Sequence, residues 1–189
     1  MAKRLIIGMS GASGAPLTVE LLRRLRKNHP EVETHLVVTR GGKMTLTQET
    51  GMALAELQKL AHVCHDNGSI GASIASGSFK TMGMIVVPCS MKTVAGIVSG
   101  YSDNLLLRAA DVCLKERRKL VLVARESPLS TVHLRNLYEV SQLGAVILPP
   151  MLTYYNAPQS LEDCTRHTVN RILSQFDLDE GSYQWEGMA

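Results

Sequence analysis

The sequence has no block of basic residues. Its 20 Lys and Arg are scattered among 17 Asp and Glu, for a net charge of +3. Without a basic stripe a nucleic-acid partner is not indicated, whereas small anionic ligands remain open. There is no Cys-x-x-Cys pair. Cys64, Cys89, Cys113 and Cys164 lie far apart, as expected of reduced, mostly buried thiols. His62-Val63-Cys64-His65 is a cluster with metal-ligand chemistry, but no second cluster completes a site, so no metal is expected. No apolar run approaches the roughly 20 residues that a bilayer span takes. Lys3 and Arg4 precede an apolar stretch too short for a signal peptide, so a cytoplasmic location without a membrane partner is expected. There is no strict GxGxxG, no Walker sequence, no internal repeat and no compositional break. The 189 residues, 45% apolar and 20% charged, therefore read as one domain over 1–189, least defined in the tail 177–189.

The chain does contain a run of small residues placed where a strand meets a helix. Leu5-Ile6-Ile7 reads as a buried strand. Gly8, Ser10, Gly11, Ala12, Ser13 and Gly14 follow with almost no side-chain bulk, and Pro16 opens a segment with Leu17, Leu21 and Leu25 at helical spacing. Such a turn lets an anion reach the N–H groups of a helix start; it serves equally as a close-packed connection that binds nothing. The pattern recurs. Glu33–Thr39 reads as a strand ending in a hydroxyl, with Gly41-Gly42 breaking it and a helical turn over Lys43–Glu49. Weaker helical character follows over Met52–Ala61. Met84–Val87 is a strand running into Pro88–Thr93 and a helix. Asn104–Arg118 is a helix with an apolar stripe at Leu106, Ala109, Ala110 and Cys113. Leu120–Val123 is a strand ending in Ala124-Arg125-Glu126, Thr131–Leu143 a helix, and Ala145–Leu148 the last strand, stopped by Pro149-Pro150. Ser160 caps a final helix whose stripe runs from Leu161 to Phe176. Gly68–Lys80, rich in Gly, Ser and Ala, reads as a loop near the site.

Strands alternating with helices imply a mostly parallel sheet covered on both faces, with ligands beyond the carboxyl ends of the strands. Ser10–Gly14, Thr39, Cys89–Thr93, Arg125-Glu126 and the loop after Leu148 should meet there. Lys92 adds a charge there or is merely solvated. Arg125-Glu126 is either a ligand-facing pair or a surface salt bridge. Arg108, Asp111, Lys115 and Arg118 recur along one helix face, as a solvated face or as a cationic wall for an anion. Glu49 could shuttle a proton. Tyr155 and Arg171 could clamp a phosphate, or Arg171 could snorkel.

Together these pieces resemble the UbiX-type flavin prenyltransferases, formerly described as phenylacrylic acid decarboxylases. The matching pieces are Gly-Met-Ser-Gly-Ala-Ser-Gly-Ala (8–15), Glu-Thr-His-Leu-Val-Val-Thr (33–39), Ala-Ser-Gly-Ser-Phe (75–79), Pro-Cys-Ser-Met-Lys-Thr (88–93) and Arg-Ala-Ala-Asp-Val-Cys-Leu-Lys-Glu-Arg-Arg (108–118). They continue with Arg-Glu-Ser-Pro-Leu (125–129), Gly-Ala-Val-Ile-Leu-Pro-Pro (144–150) and Tyr-Tyr-Asn-Ala-Pro-Gln-Ser (154–160), in order over nearly the whole chain. The resemblance implies an α/β, Rossmann-like (flavodoxin-like) three-layer sandwich, usually a homododecamer. It implies that the dimethylallyl group of dimethylallyl monophosphate is joined to N5 and C6 of reduced FMN without a metal. The prenylated FMN then serves a UbiD-type decarboxylase.

By position, the resemblance assigns Gly11, Ala12, Ser13, Thr39, Ser90, Met91, Lys92, Thr93 and Arg125 to FMN. Glu49 becomes the proton-transfer carboxylate, with Ser13 close to the reacting centre and Glu126 a second acid. Arg108, Lys115, Tyr155 and Arg171 surround the prenyl phosphate, some reaching from a neighbouring subunit, and Trp185 covers the site. The chain departs from the pattern at Thr39, where Ser is common, at Ala124 for Pro, and at Asn156-Ala157 for His-Arg. The rival readings are an FMN-dependent peptidyl-cysteine decarboxylase and a passive FMN carrier.

Overall fold

A computed structural model describes residues 3–178 and residue 187. Strands β1 (Lys3–Met9), β2 (Val32–Val38), β3 (Val63–His65), β4 (Gly83–Cys89), β5 (Lys119–Ala124) and β6 (Val146–Ile147) form one sheet. Its order is β3-β2-β1-β4-β5-β6, and every neighbouring pair is parallel. The helices are α1 (Ala15–Asn28), α2 (Arg40–Thr50), α3 (Leu54–Gln58), α4 (Met91–Val98), α5 (Leu105–Lys115), α6 (Thr131–Gln142) and α7 (Leu161–Ser174).

The central strands are apolar at nearly every position because both of their faces are covered. Leu5, Ile7, Ile85, Val87, Val121 and Val123 point to one face, where α1 and α7 supply Leu21, Leu22, Val169 and Ile172. Ile6, Met84, Val86, Leu120 and Leu122 point to the other, against α4 and α5. At roughly 1.5–3 kcal/mol for each fully buried aliphatic side chain, these two layers are the main source of stability. The result is the Rossmann-like three-layer sandwich that the sequence implies. Between β1 and β4 the strand order changes direction, which opens a crevice at the carboxyl edge.

One short strand is added and two local expectations are corrected. Within the His62–His65 cluster, Val63–His65 forms the added strand, β3, paired with β2. His62 Nδ1 lies 2.9 Å from Thr34 Oγ1, and His65 stacks on buried His35, so the two histidines point to different partners. The Gly41-Gly42 pair lies beyond the end of β2, as expected, but inside α2, which begins at Arg40 rather than at Lys43. A Cβ on Gly42 would come within 2.7 Å of the Met9 carbonyl oxygen, and one on Gly11 within 3.0 Å of Gly41 Cα. The glycines therefore let the first turn of α2 lie directly on the end of β1. Finally, the 68–80 segment runs down the flank of α5 to the amino end of β4. Ile74 is buried there, and Arg108 and Arg118 donate to the carbonyls of Ala75 and Phe79. Within one protomer it lies away from the crevice.

Candidate active site at the carboxyl ends of the strands

Ser10 is the residue that holds the crevice in shape. It is buried at 1% exposure, and its hydroxyl donates to the Pro88 carbonyl at 3.0 Å while accepting from the Ser90 N–H at 2.7 Å. One side chain thus ties the turn after β1 to the turn after β4 across the switch point. Thr18 Oγ1 adds a bond to the Val87 carbonyl at 2.6 Å, and the Arg125 N–H donates to the Cys89 carbonyl at 3.1 Å. The turns after β1, β4 and β5 are therefore joined by hydrogen bonds.

The start of α1 is the next constraint. Gly14 stands at its N-cap position with no side chain to accept the first N–H groups. Glu49, near the end of α2, fills that role: its Oε2 accepts from the Gly14 N–H at 2.9 Å and the Ala15 N–H at 2.8 Å. The carboxylate takes the position in which an anion would sit on this helix. Partial burial alone would raise the Glu49 pKa. The Ser13 hydroxyl, the two backbone N–H groups and the charge of Arg125 outweigh it, so the pKa falls below the usual carboxylate value. Glu49 is consequently a charged base at neutral pH.

Helices α2 and α4 also begin at this edge, directly after β2 and β4. Thr39 caps α2 by accepting from the Gly42 N–H, and Ser90 caps α4 by accepting from the Thr93 N–H. Gly11 and Ser13 are exposed beside them, Arg125 is exposed at the end of β5, and Lys92 is exposed on the first turn of α4. Ala12, Met91 and Thr93 are buried, so the first two can offer a ligand only their backbone. Hydroxyls, backbone N–H groups and one guanidinium form a donor set suited to a phosphate and a polar ring, which is what FMN carries. Glu126 is exposed and accepts from its neighbour Ser127.

Among the described residues, two adjoining cavities lie beside the turn after β1 and along β6. The larger, about 900 Å³, is lined by Ser13, Gly14, Glu49, Met52, Pro150 and residues of α7 that include Cys164 and Thr165. The smaller, about 340 Å³, is lined by β6, Pro149, Thr153, Tyr155, His167 and Arg171. They share Met151 and Thr168 as walls, so they adjoin. Tyr155 and Arg171 thus come together as expected. His167, which sequence reasoning missed, joins them with Nε2 3.2 Å from the Tyr155 hydroxyl oxygen. Its position one helical turn before Arg171 was the available signal.

Arg108 and Lys115 are not brought to these cavities within one protomer. Arg108 pairs with Asp111 and bonds the Ala75 carbonyl. Lys115 pairs with Glu116 at 2.6 Å, near the amino end of β5 and so at the opposite edge of the sheet. Trp185 lies outside the described residues.

The Flavoprotein family model matches residues 1–173. The flavin prenyltransferase UbiX of Escherichia coli (strain K12) is 53% identical over 188 residues, covering 98% of this chain and 99% of its own. The chain belongs to the UbiX-type flavin prenyltransferase family. Among solved structures, AnUbiX (PadA1) in complex with FMN and dimethylallyl pyrophosphate superposes with a TM-score of 0.96 at 47% identity, covering 100% of both chains. A dodecameric FMN-dependent UbiX-like decarboxylase from Escherichia coli O157:H7 does so with a TM-score of 0.95 at 51% identity, covering 97% of this chain and 100% of that one. Membership in the UbiX-type family agrees with the donor set at the strand ends.

Proposed function

We propose that this chain is a flavin prenyltransferase, a single flavoprotein domain over 1–189. It joins the dimethylallyl group of dimethylallyl monophosphate to N5 and C6 of reduced FMN. The carbon–oxygen bond of the ester breaks and phosphate leaves. A carbon–nitrogen bond replaces N5–H, the alkene of the prenyl group takes up one proton, and a carbon–carbon bond replaces the C–H at C6, so that of the two protons released one is taken up and the other leaves with phosphate. The observation that carries the reading is the pair of adjoining cavities. One is lined by a carboxylate held in its charged form, and the other by a guanidinium and a phenol. Flavin chemistry suits the first and a phosphate ester the second.

Gly11, Ala12, Ser13, Thr39, Ser90, Met91, Lys92, Thr93 and Arg125 would hold FMN, a substrate in this reaction. Glu49, already deprotonated, takes up the proton released at the ring, with Ser13 orienting it and Glu126 as a second acid. Tyr155 and Arg171 hold the ester phosphate, and fixed positive charge stabilises the leaving anion as its own charge grows. Arg108 and Lys115 would serve from a neighbouring protomer. Their distance from the cavities within one chain supports a site completed by assembly, and the dodecameric relative supports a homododecamer. We assign the product to a UbiD-type decarboxylase and the protein to the cytoplasm. Among the described residues no helix is long and apolar enough to cross a membrane.

The test is anaerobic incubation with reduced FMN and dimethylallyl monophosphate, followed by mass analysis of the flavin. The expected product is heavier than reduced FMN by one C5H8 unit. Recovery of unchanged FMN overturns the reading in favour of a carrier.

A further inference from the structure

Three groups meet in the smaller cavity, and only two of them have an obvious use. Tyr155 and Arg171 suit a phosphate. His167 occupies the same wall of α7, one turn before Arg171, with its ring edge-on to Tyr155 at a centroid separation of 5.7 Å and an interplanar angle of 80°. Its Nε2 is within hydrogen-bond distance of the Tyr155 hydroxyl oxygen. Tyr155 stands on an exposed loop outside any helix or strand, and this contact ties it to α7.

We propose that His167 is a positioning residue of the anion subsite, fixing the Tyr155 hydroxyl and taking up one proton when a doubly charged phosphate group enters. The proposal rests on the reading of Tyr155 and Arg171 as that subsite. A neutral imidazole can either give or take the hydrogen shared with a phenol. An imidazolium can only give. Once charged, His167 donates to Tyr155 Oη, and the hydroxyl hydrogen of Tyr155 is then directed to the anion. The subsite thereby gains one more donor and one more positive charge when an anion is present to use them.

The surroundings favour this coupling. Partial burial first, and the charge of Arg171 second, hold the His167 pKa below the usual imidazole value, which favours the neutral ring in the free protein. The other charged groups on α7 are Glu162, in its first turn, and Asp163 and Arg166, which pair with each other, while Lys119 of β5 donates to the carbonyl of Gln175 at the far end of the cavity. β6 and residues 149–153 contribute no charge. An entering dianion therefore dominates the local field and reverses the sign of the effect on His167.

The experiment is calorimetric titration of the full-length, FMN-loaded protein with sulfate, a dianion that does not itself titrate between pH 6 and 8. It is run in two buffers of different ionisation enthalpy. Wild type is expected to take up protons on binding and to lose about tenfold in affinity from pH 6 to pH 8. His167→Gln, whose amide can still donate to Tyr155, is expected to bind without proton uptake and with a flat pH profile. His167→Leu is expected to bind more weakly than His167→Gln at pH 8. Wild type without proton uptake, or His167→Gln with the same uptake as wild type, overturns the role of His167 alone. Sulfate binding that is absent, or indifferent to Arg171→Ala, removes the subsite reading and this proposal with it.

Discussion

Among single residues, Glu49 carries the most consequence. Its carboxylate caps α1, is held ionised, and lines the larger cavity. Glu49→Gln is expected to cut adduct formation by about 100-fold or more, within the range typical of a lost general base, while FMN binding is retained. A flavin fluorescence titration run beside the mass assay separates the two effects. The same substitution is expected to lower stability at neutral pH by about 1 kcal/mol, because a charged acceptor at a helix start becomes a neutral one. The folded-state pKa of Glu49 is depressed, so its contribution is full above the unfolded-state carboxylate pKa. It is lost as pH falls through the lower folded value. Urea unfolding of wild type and Glu49→Gln should therefore differ at pH 7 and converge in strong acid. A difference that grew on acidification would contradict the assignment. Ser10 is the structural counterpart. Ser10→Ala leaves the Ser90 N–H without its buried acceptor and should cost about 1–3 kcal/mol in the same unfolding assay.

Among elements, the contact between α2 and β1 makes the sharpest prediction. Gly42→Ala places a methyl 2.7 Å from the Met9 carbonyl oxygen, a backbone atom that cannot move aside, whereas Gly71 has nothing within 4 Å. Gly42→Ala is expected to lower the unfolding temperature, at a cost of about 1–3 kcal/mol. Gly71→Ala should leave it within error of wild type. The same elements show what the sequence could and could not reveal. The long apolar runs of β1, β2, β4 and β5, and the stripes of α1, α5 and α7, were legible because periodicity and capping residues report burial directly. β3 was hidden because it is three residues long and carries Cys64 and His65, residues that suggest ligation more than pairing. That Gly41-Gly42 belongs to the first turn of α2 was hidden, because close approach of two backbones leaves no mark in one chain's local pattern. His167 was missed because its partner, Tyr155, is 12 residues away on an irregular loop. Glu49, Tyr155 and Arg171 were raised by their residue types and again by the resemblance; Glu49 lines one cavity, and Tyr155 and Arg171 line the adjoining one.

At the scale of the whole molecule, the position of Lys115 matters most. The sheet separates it from Glu49 within one chain, so a reaction that uses both needs two protomers. Two inactive variants, Glu49→Gln and Lys115→Ala, should therefore regain activity when unfolded together and reassembled, since some mixed interfaces pair an intact Glu49 with an intact Lys115. Mixed assemblies as inactive as either parent would place both residues in the service of one chain.

The most direct test of two adjoining cavities with two guests is a crystal structure of the protein with both FMN and dimethylallyl monophosphate. The account predicts the ester phosphate between Tyr155 and Arg171, the prenyl chain passing Met151 and Thr168, and the reactive edge of the flavin beside Ser13 and Glu49. A phosphate bound elsewhere, with Arg171 turned to solvent and the flavin filling both cavities, would contradict it.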